Sequence, residues 1–377
     1  MRPPLLRRRP RAVLATTASV ALAAGALVTG AAGPAGAHPG HGGPAVTVLA
    51  DGLHNPRHLV VDRRGAVYVA EAGRGAADPA TAPCLEATNP ETGEPKRFCS
   101  GSTGAVARWK NHRLTRVVTG LPSVAGVSGD QAGGVTDLTV PQDGRAVGVV
   151  NLGGDPRDKA AGLPAPAVAS AGHLLRLDLR RDRFRIGTDV SSFEVANNPD
   201  AADPGSAFDS NPYAVAASRH GVVVADAGGN DLLHVDRRGR TTLLAVFPAR
   251  LVDAPPFVQP PPPGGKIPMQ AVPNSVVRGP DGAWYVGQLT GFPFPVGAAN
   301  VYRVRPGHAP TVAASGFTNV IDVAFDRRGR LLVLEIASTS LLDPTATGSL
   351  WVVDRHGRRT LAAGGLQAPG GVVAGPG

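Results

Sequence analysis

One four-residue pattern constrains this chain more than any other. "DRRG" stands at 62–65, 236–239 and 326–329, and "DRHG" at 354–357. Each lies between two short runs of β-formers, as in "HLVVDRRGAVYVAE" and "VAFDRRGRLLVLE". An aspartate opens a turn by accepting from the backbone ahead of it, and glycine takes the positive-φ position that closes it. The arginines fall at the exposed middle. "PQDG" (141–144), "SRHG" (218–221) and "GPDG" (279–282) fill the same slot with other centres, so the slot is a hairpin turn rather than an arginine-bearing binding motif.

The strands leading into these turns repeat. "PRHLVVD" begins at Pro56, "VTDLTVP" at Val135, "PYAVAAS" at Pro212, "PNSVVRG" at Pro273, "VIDVAFD" at Val320 and "PGGVVAG" at Pro369. The later starts are 61, 47 and 49 residues apart; the earlier gaps of 79 and 77 hold insertions. Each unit continues as strand, turn, strand, loop, strand, turn, strand. Four short strands at a period near 45 residues mark a β-propeller blade. No long stretch has a period of 3.6, and Gly and Pro recur every few residues. A right-handed β-helix or a sandwich fits less well, because a sandwich does not repeat its turn chemistry around the chain.

"AVTVLADGL" (45–53) matches the fourth strand of a unit, and "PGGVVAGPG" (369–377) a first strand and the start of its turn. The expected fold is all-β: a six-bladed β-propeller of four-stranded blades, the last shared between the termini. Five blades are complete and the sixth has only its inner and outer strands. The short C-terminus is expected to be a truncation.

Residues 1–37 read as a secretory signal peptide. Arg2, Arg7, Arg8, Arg9 and Arg11 precede a long Ala/Val/Leu-rich stretch, and Ala35 and Ala37 form a small-residue cleavage pattern. An N-terminal anchor is the rival, but the Ala, Gly and Thr content is weakly apolar for a span. Cleavage after Ala37 leaves a flexible 38–44 segment and a propeller domain over 45–377, with secretion to the extracellular space. The chain carries 38 Lys and Arg against 29 Asp and Glu; removing the five leader arginines reduces the balance from +9 to +4. Scattered charge without interleaved aromatics gives no support to nucleic-acid binding. No membrane span is expected after cleavage, and the chain is expected to be a monomer. Cys84 and Cys99, an even pair in an exported chain, are expected to form a disulfide across a polar segment, away from the channel. Their spacing fits no C-x-x-C metal or redox motif.

The chain resembles the ScyD/ScyE family of secreted propellers, related to NHL-repeat proteins. The resemblance is carried by "HNPRHLVVDRRGAVYVAEAG" (54–73), "SNPYAVAASRHGVVVADAGGNDLLHVD" (210–236), "YVGQLTGFPFPVGAANVYRV" (285–304) and "GFTNVIDVAFDRRGRLLVLEIA" (316–337). It implies a six-bladed ring and export, and supplies no catalytic residue set. The short C-terminus departs from the family pattern.

In such a blade the start of the inner strand and the end of the second strand lie on one face. The third inner-strand positions are His58, Asp137, Ala214, Ser275, Asp322 and Gly371; the second strands end at Glu71, Asn151, Asp226, Gln288 and Glu335. His58, Glu71, Asp137, Asn151, Asp226, Gln288, Asp322 and Glu335 are therefore the candidate ligand or metal residues around the channel mouth. Hard cations take several converging oxygens, so Ca²⁺ is the cation such a ring would hold, contacting Asp137, Asp322 and Glu335 or Glu71. The competing role for the second-strand set is structural, each acid accepting buried loop amides. Asp226 and Asp231 fit that role best; His58, Asp137 and Asp322 fit it least.

Three other segments stand out. "HPGHGG" (38–43) places two histidines near the expected mature N-terminus, as a copper site or as a loose tail. "LVDAPPFVQPPPPGGKIP" (251–268) is a polyproline docking segment or a stiff crossover, and "GFPFP" (291–295) caps the channel or grips an apolar ligand. G-x-S-x-G, H-E-x-x-H and Walker loops are absent. The functional expectation is a secreted binding or scaffold protein that presents the loops at 74–103, 155–171, 195–210, 249–270 and 289–299 to a small molecule or extracellular partner. The alternative is a metal-dependent, lactonase-like hydrolase working in the channel.

Overall fold

The computed structural model describes residues 46–88, 95–140 and 145–375. The leader, the "HPGHGG" segment and the "PQDG" turn lie outside the described residues. Five four-stranded antiparallel blades follow one another along the chain, the first two joined by a short pairing of Ser123 and Val124 with Gly134 and Gly133 into one nine-stranded sheet. Blade I holds β1 (Pro56–Val61), β2 (Val67–Glu71), a side hairpin strand β3 (Cys84–Thr88), β4 (Pro95–Lys110) and β5 (Arg113–Gly126). Blade II is β6 (Gly133–Thr139), β7 (Arg145–Val150), β8 (His173–Asp178) and β9 (Arg183–Asp189). Blade III is β10 (Pro212–Ser218), β11 (Gly221–Asp226), β12 (Asp231–Asp236) and β13 (Thr241–Val246), and a two-stranded ribbon of β14 (Arg250–Asp253) and β15 (Lys266–Met269) follows it. Blade IV is β16 (Pro273–Arg278), β17 (Trp284–Gln288), β18 (Ala299–Val304) and β19 (Thr311–Phe317). Blade V is β20 (Val320–Phe325), β21 (Leu331–Glu335), β22 (Gly348–Val353) and β23 (Arg359–Leu366).

In blades II to V the inner and second strands are buried along most of their length, and neighbouring blades pack face to face. Tyr68, Leu121, Leu138 and Leu175 fill the seam between blades I and II. Phe247, Trp284 and Tyr302 fill the seam between III and IV, and Phe317, Val323 and Val333 the seam between IV and V. Phe247, Phe317, Leu121 and Leu175 are fully buried, so each seam gains about 25 cal/mol for every Å² of apolar surface withdrawn from water.

The DRRG sequences form the turns that their chemistry demands. Asp62, Asp236, Asp326 and Asp354 each accept two backbone N–H groups of the turn through Oδ1, at 2.8 to 3.0 Å. The closing glycines sit at φ of +77° (Gly65), +88° (Gly239), +71° (Gly329) and +79° (Gly357). All four turns point to one side of the disc, hereafter the turn face. The opposite loop face carries the longer connections.

Two connections hold more structure than their composition suggests. The segment between the cysteines, expected as an irregular excursion, is bounded by a β-hairpin in which Cys84 and Cys99 are directly opposed and disulfide-bonded. The Pro-rich 249–270 loop is tied at its base by the β14–β15 ribbon. Short helices, unexpected from the periodicity, occur only in loops: α1 (Lys159–Gly162), α2 (Ala165–Val168) and α3 (Ser192–Asn197). Among the described residues no helix is long and apolar enough to cross a membrane.

The place of a sixth blade, between V and I, is taken by the two terminal segments, neither of which forms a regular strand where described. The C-terminal piece nonetheless lies where an inner strand belongs. Gly370 and Gly371 approach β1 so closely that an added Cβ would fall 3.0 Å from the Pro56 carbonyl oxygen and 2.9 Å from the His58 Cα.

Gly357 isolates the turn requirement, since an added Cβ there would meet nothing within 4 Å. Gly357→Ala is expected to cost about 1 kcal/mol from the left-handed backbone alone, and Gly357→Asn less. Denaturant unfolding of the two variants measures this; an Ala variant as stable as the parent would contradict the turn assignment.

Candidate functional site

The third positions of the inner strands meet at the middle of the ring. His58 (β1), Asp137 (β6) and Asp322 (β20) are all buried, at 3%, 7% and 8% exposure. Asp137 Oδ1 accepts the N–H of Leu138 at 2.7 Å, and its Oδ2 accepts the N–H of Val215, in the inner strand of the next blade, at 2.8 Å. Asp322 repeats this arrangement. Its Oδ1 accepts from Val323 at 2.8 Å, and its Oδ2 accepts the N–H of Val372 in the C-terminal piece at 2.7 Å. Val215 and Val372 occupy the same place, the fourth residue counted from Pro212 and from Pro369. Each aspartate therefore clamps its own blade to the next.

His58 lies between them. Its Nδ1 is 3.5 Å from Asp137 Oδ2, its Nε2 is 3.2 Å from the Ile321 carbonyl oxygen, and its ring meets Tyr213 edge-on at 5.7 Å. Burial opposes charging this imidazole, but the nearby Asp322 and Asp137 carboxylates outweigh it and raise its pKa to about 9. Asp322 is itself pushed up to about 6 by burial, with the His58 charge opposing. At neutral pH the imidazole is an imidazolium donating from both ring nitrogens, so a single cation serves the carboxylates of two blades.

The second-strand set does not join this cluster; each member is engaged in its own blade. Glu71 accepts the His54 N–H at 2.6 Å and a bidentate pair from Arg116 at 2.8 and 2.9 Å. Asn151 accepts from Gly134 at 2.9 Å, and Gln288 Oε1 from Asn300 at 3.1 Å. Glu335 accepts from the Thr318 N–H at 2.6 Å and the Trp351 indole at 2.9 Å. Asp226 accepts three backbone N–H groups, of Asn211, Gly228 and Gly229, and the Ser210 hydroxyl. Each accepts a backbone N–H of its own blade, from a strand for Asn151 and Gln288 and from a connection for Glu71, Asp226 and Glu335. Among the described residues no group of three or more His, Cys, Asp or Glu side chains is arranged to hold a metal ion.

A second buried polar cluster was only partly visible in the sequence. Glu194 on α3, Asp200, Asp209 and Asp231 surround Asp226 on the loop side of blade III, and Asn230 bridges Asp200 to Gln270 at 2.8 and 2.9 Å. Asp231 stood out in "DAGGND" as an acceptor for loop amides, yet its buried Oδ1 has no hydrogen-bond partner among the described residues; for the others nothing in their spacing marked them. Burial, then the charges of Asp200, Asp226 and Asp209, push Glu194 up to about 8. Burial and the Asp226 charge push Asp231 well above the carboxylate range. Burial and mutual repulsion favour the neutral forms of both acids, which eases such crowding.

No protein-family model matches the chain, and no curated protein matches it. Solved structures do. Virginiamycin B lyase from Staphylococcus aureus is 13% identical, with a TM-score of 0.41 over 85% of this chain and 75% of that one. A gluconolactonase from Xanthomonas campestris is 14% identical, with a TM-score of 0.39 over 88% and 90%. Likeness at this level carries nothing about activity.

An acid whose pKa is raised by folding contributes stability that is fully present below its ordinary pKa, 4.5 for Glu194, and lost as pH climbs through about 8. Glu194→Gln should therefore melt progressively higher than the parent as pH rises from about 5 to about 9. Parallel melting curves across that window would contradict the cluster's protonation.

Proposed function

We propose that the protein is a secreted binding module of the ScyD/ScyE kind that engages its partner through the loop face, and not an enzyme working in its channel. What carries this is that His58, Asp137 and Asp322 are all buried and already engaged within the ring. A general base must accept a proton, and an imidazole with a pKa of about 9 is already protonated at neutral pH. The carboxylates beside it already accept backbone N–H groups at 2.7 to 2.8 Å, and giving them to a cation would release the clamps between blades. The centre of the ring is thus built to hold the ring.

The loop face has the features of a recognition surface. A cavity of about 490 Å³ beside the disulfide hairpin is lined by His54, Arg74, Thr103, Arg116 and Val127, within the size range of small-ligand sites. Across the face, Leu251, Phe257 and Val296 are 63%, 65% and 67% exposed. Phe257 touches Phe292 at 6.2 Å between ring centroids, and Phe292 touches Phe294 at 6.4 Å, so the "GFPFP" loop and the Pro-rich ribbon form one aromatic ledge. Exposed aromatic groups on a rigid scaffold are typical anchors for a partner. Export rests on the leader-like residues 1–37.

The test pairs catalysis with metal. Purified mature protein is assayed against a panel of lactones and esters, and melted with Ca²⁺ and with EDTA. The expected results are no turnover above buffer and one melting temperature in both. Turnover that EDTA removes and that Asp322→Asn abolishes would overturn the reading in favour of a metal-dependent hydrolase. Binding of a fluorescent apolar probe should fall in Phe257→Ser/Phe292→Ser, with the melting temperature unchanged.

A further inference from the structure

On the turn face, away from the loops, blades II and III enclose a groove of about 930 Å³. Its floor is aliphatic, with Val147, Leu174, Val222 and Val235 contributing from the seam between the two blades. Its rim is arginine: Arg145, Arg176, Arg181, Arg183, Arg185 and Arg237 line it, against Asp178, Asp182 and Asp236. Those three carboxylates are already engaged. Asp178 accepts from the Arg180 N–H and Arg181, Asp182 from Thr119, and Asp236 from the N–H groups of Arg238 and Arg240.

Arg176, Arg183 and Arg185 are exposed and, among the described residues, have no hydrogen bond or ion pair. Arg176 on β8 is the direct cross-strand partner of Arg185 on β9, and Arg183 sits two residues before Arg185 on the same face. Like charges directly opposite one another destabilise a strand pair. Asp178 on β8 stands opposite Arg183, but no carboxylate stands opposite Arg176 or Arg185: Arg176's partner on the other side is Val147. The described lining thus carries six arginines against three aspartates, a net positive charge.

We propose that this groove binds an acidic polysaccharide, a linear chain bearing carboxylate or sulfate groups. Guanidinium forks pair bidentately with such oxyanions, and two arginines in register with a third two residues along form a row suited to repeated anions. The aliphatic floor accommodates the C–H faces of sugar rings. A nucleic acid fits less well, because single strands are held by stacking on aromatics, and Phe184, the lone aromatic of the lining, packs into the seam between blades I and II. The site is separate from the loop face, so it stands or falls independently of the reading given above.

The experiment measures binding of the purified chain to polygalacturonate and to dextran sulfate, with neutral dextran and an oligothymidylate as comparisons. Binding to at least one acidic polysaccharide is expected, weakening as salt rises. Carboxylate and sulfate recognition are separated by which of the two is held. Arg176→Gln/Arg185→Gln should weaken it about tenfold or more, since two charge-assisted contacts are lost. The melting temperature of that variant should be unchanged or higher, because the opposed charges are gone. Arg327→Gln/Arg328→Gln, removing the same charge from a turn of blade V, should change affinity by less than about twofold. No binding to either polysaccharide, equal losses in the two double variants, or oligothymidylate bound as tightly as the polysaccharides would each overturn the proposal.

Discussion

A buried imidazolium shared by two carboxylates is the interaction on which the ring depends. The Asp137 carboxylate ties blade II to blade III through the Val215 N–H, and the Asp322 carboxylate ties blade V to the C-terminal piece through the Val372 N–H. Burying two such charges is costly unless an opposite charge accompanies them. His58, on blade I, supplies it. The same residue contacts the Ile321 carbonyl of blade V, so one side chain spans the place where the sixth blade has no regular strands. Because folding raises the His58 pKa, its contribution is fully present below about 6.5 and lost as pH rises through about 9.

Much of the architecture was legible because propeller blades are assembled from local rules. A turn needs an acceptor at its start and a left-handed residue at its end, and the spacing of Asp62 to Gly65 and of Asp326 to Gly329 states both requirements in the letters themselves. The continuous apolar runs "VVVAD" and "LLVLE" mark second strands that are buried on both faces. The hairpin after Cys84 was less legible. "LEATNPETGEPKRF" lacks alternation because β3 lies off the blade, paired to one neighbour and without a second layer to bury a face against. The short helices escaped for a related reason: one to two turns leave no period to read.

The candidate site divided along a physical line that sequence alone did not draw. Glu71, Asn151, Asp226 and Glu335 stand at the ends of second strands and accept an N–H from the entry to the inner strand of the same blade, 15 to 17 residues earlier, so their regular spacing reflects a repeated backbone demand. Asp226 also accepts N–H groups of the loop that follows it. His58, Asp137 and Asp322 stand at equivalent positions on non-equivalent blades, and their convergence depends on closure of the ring. The blade III acids were hidden for the opposite reason. Glu194, Asp200 and Asp209 come from a connection whose path is set by packing, and burial favours the neutral form of Glu194 while Asn230 and Ser206 donate to Asp200. The arginines of β8 and β9 read as unremarkable surface charge until the register placed Arg176 opposite Arg185.

The position of His58 between Asp137 and the Ile321 carbonyl calls for a protonated imidazole at the centre of the ring. Titration of the histidine side chains by NMR, with the His58 signal assigned by its absence in His58→Gln, measures this directly. The account requires an imidazole that stays protonated through neutral pH and titrates near 9. A His58 signal that titrates at or below the ordinary value of 6.5 would contradict it.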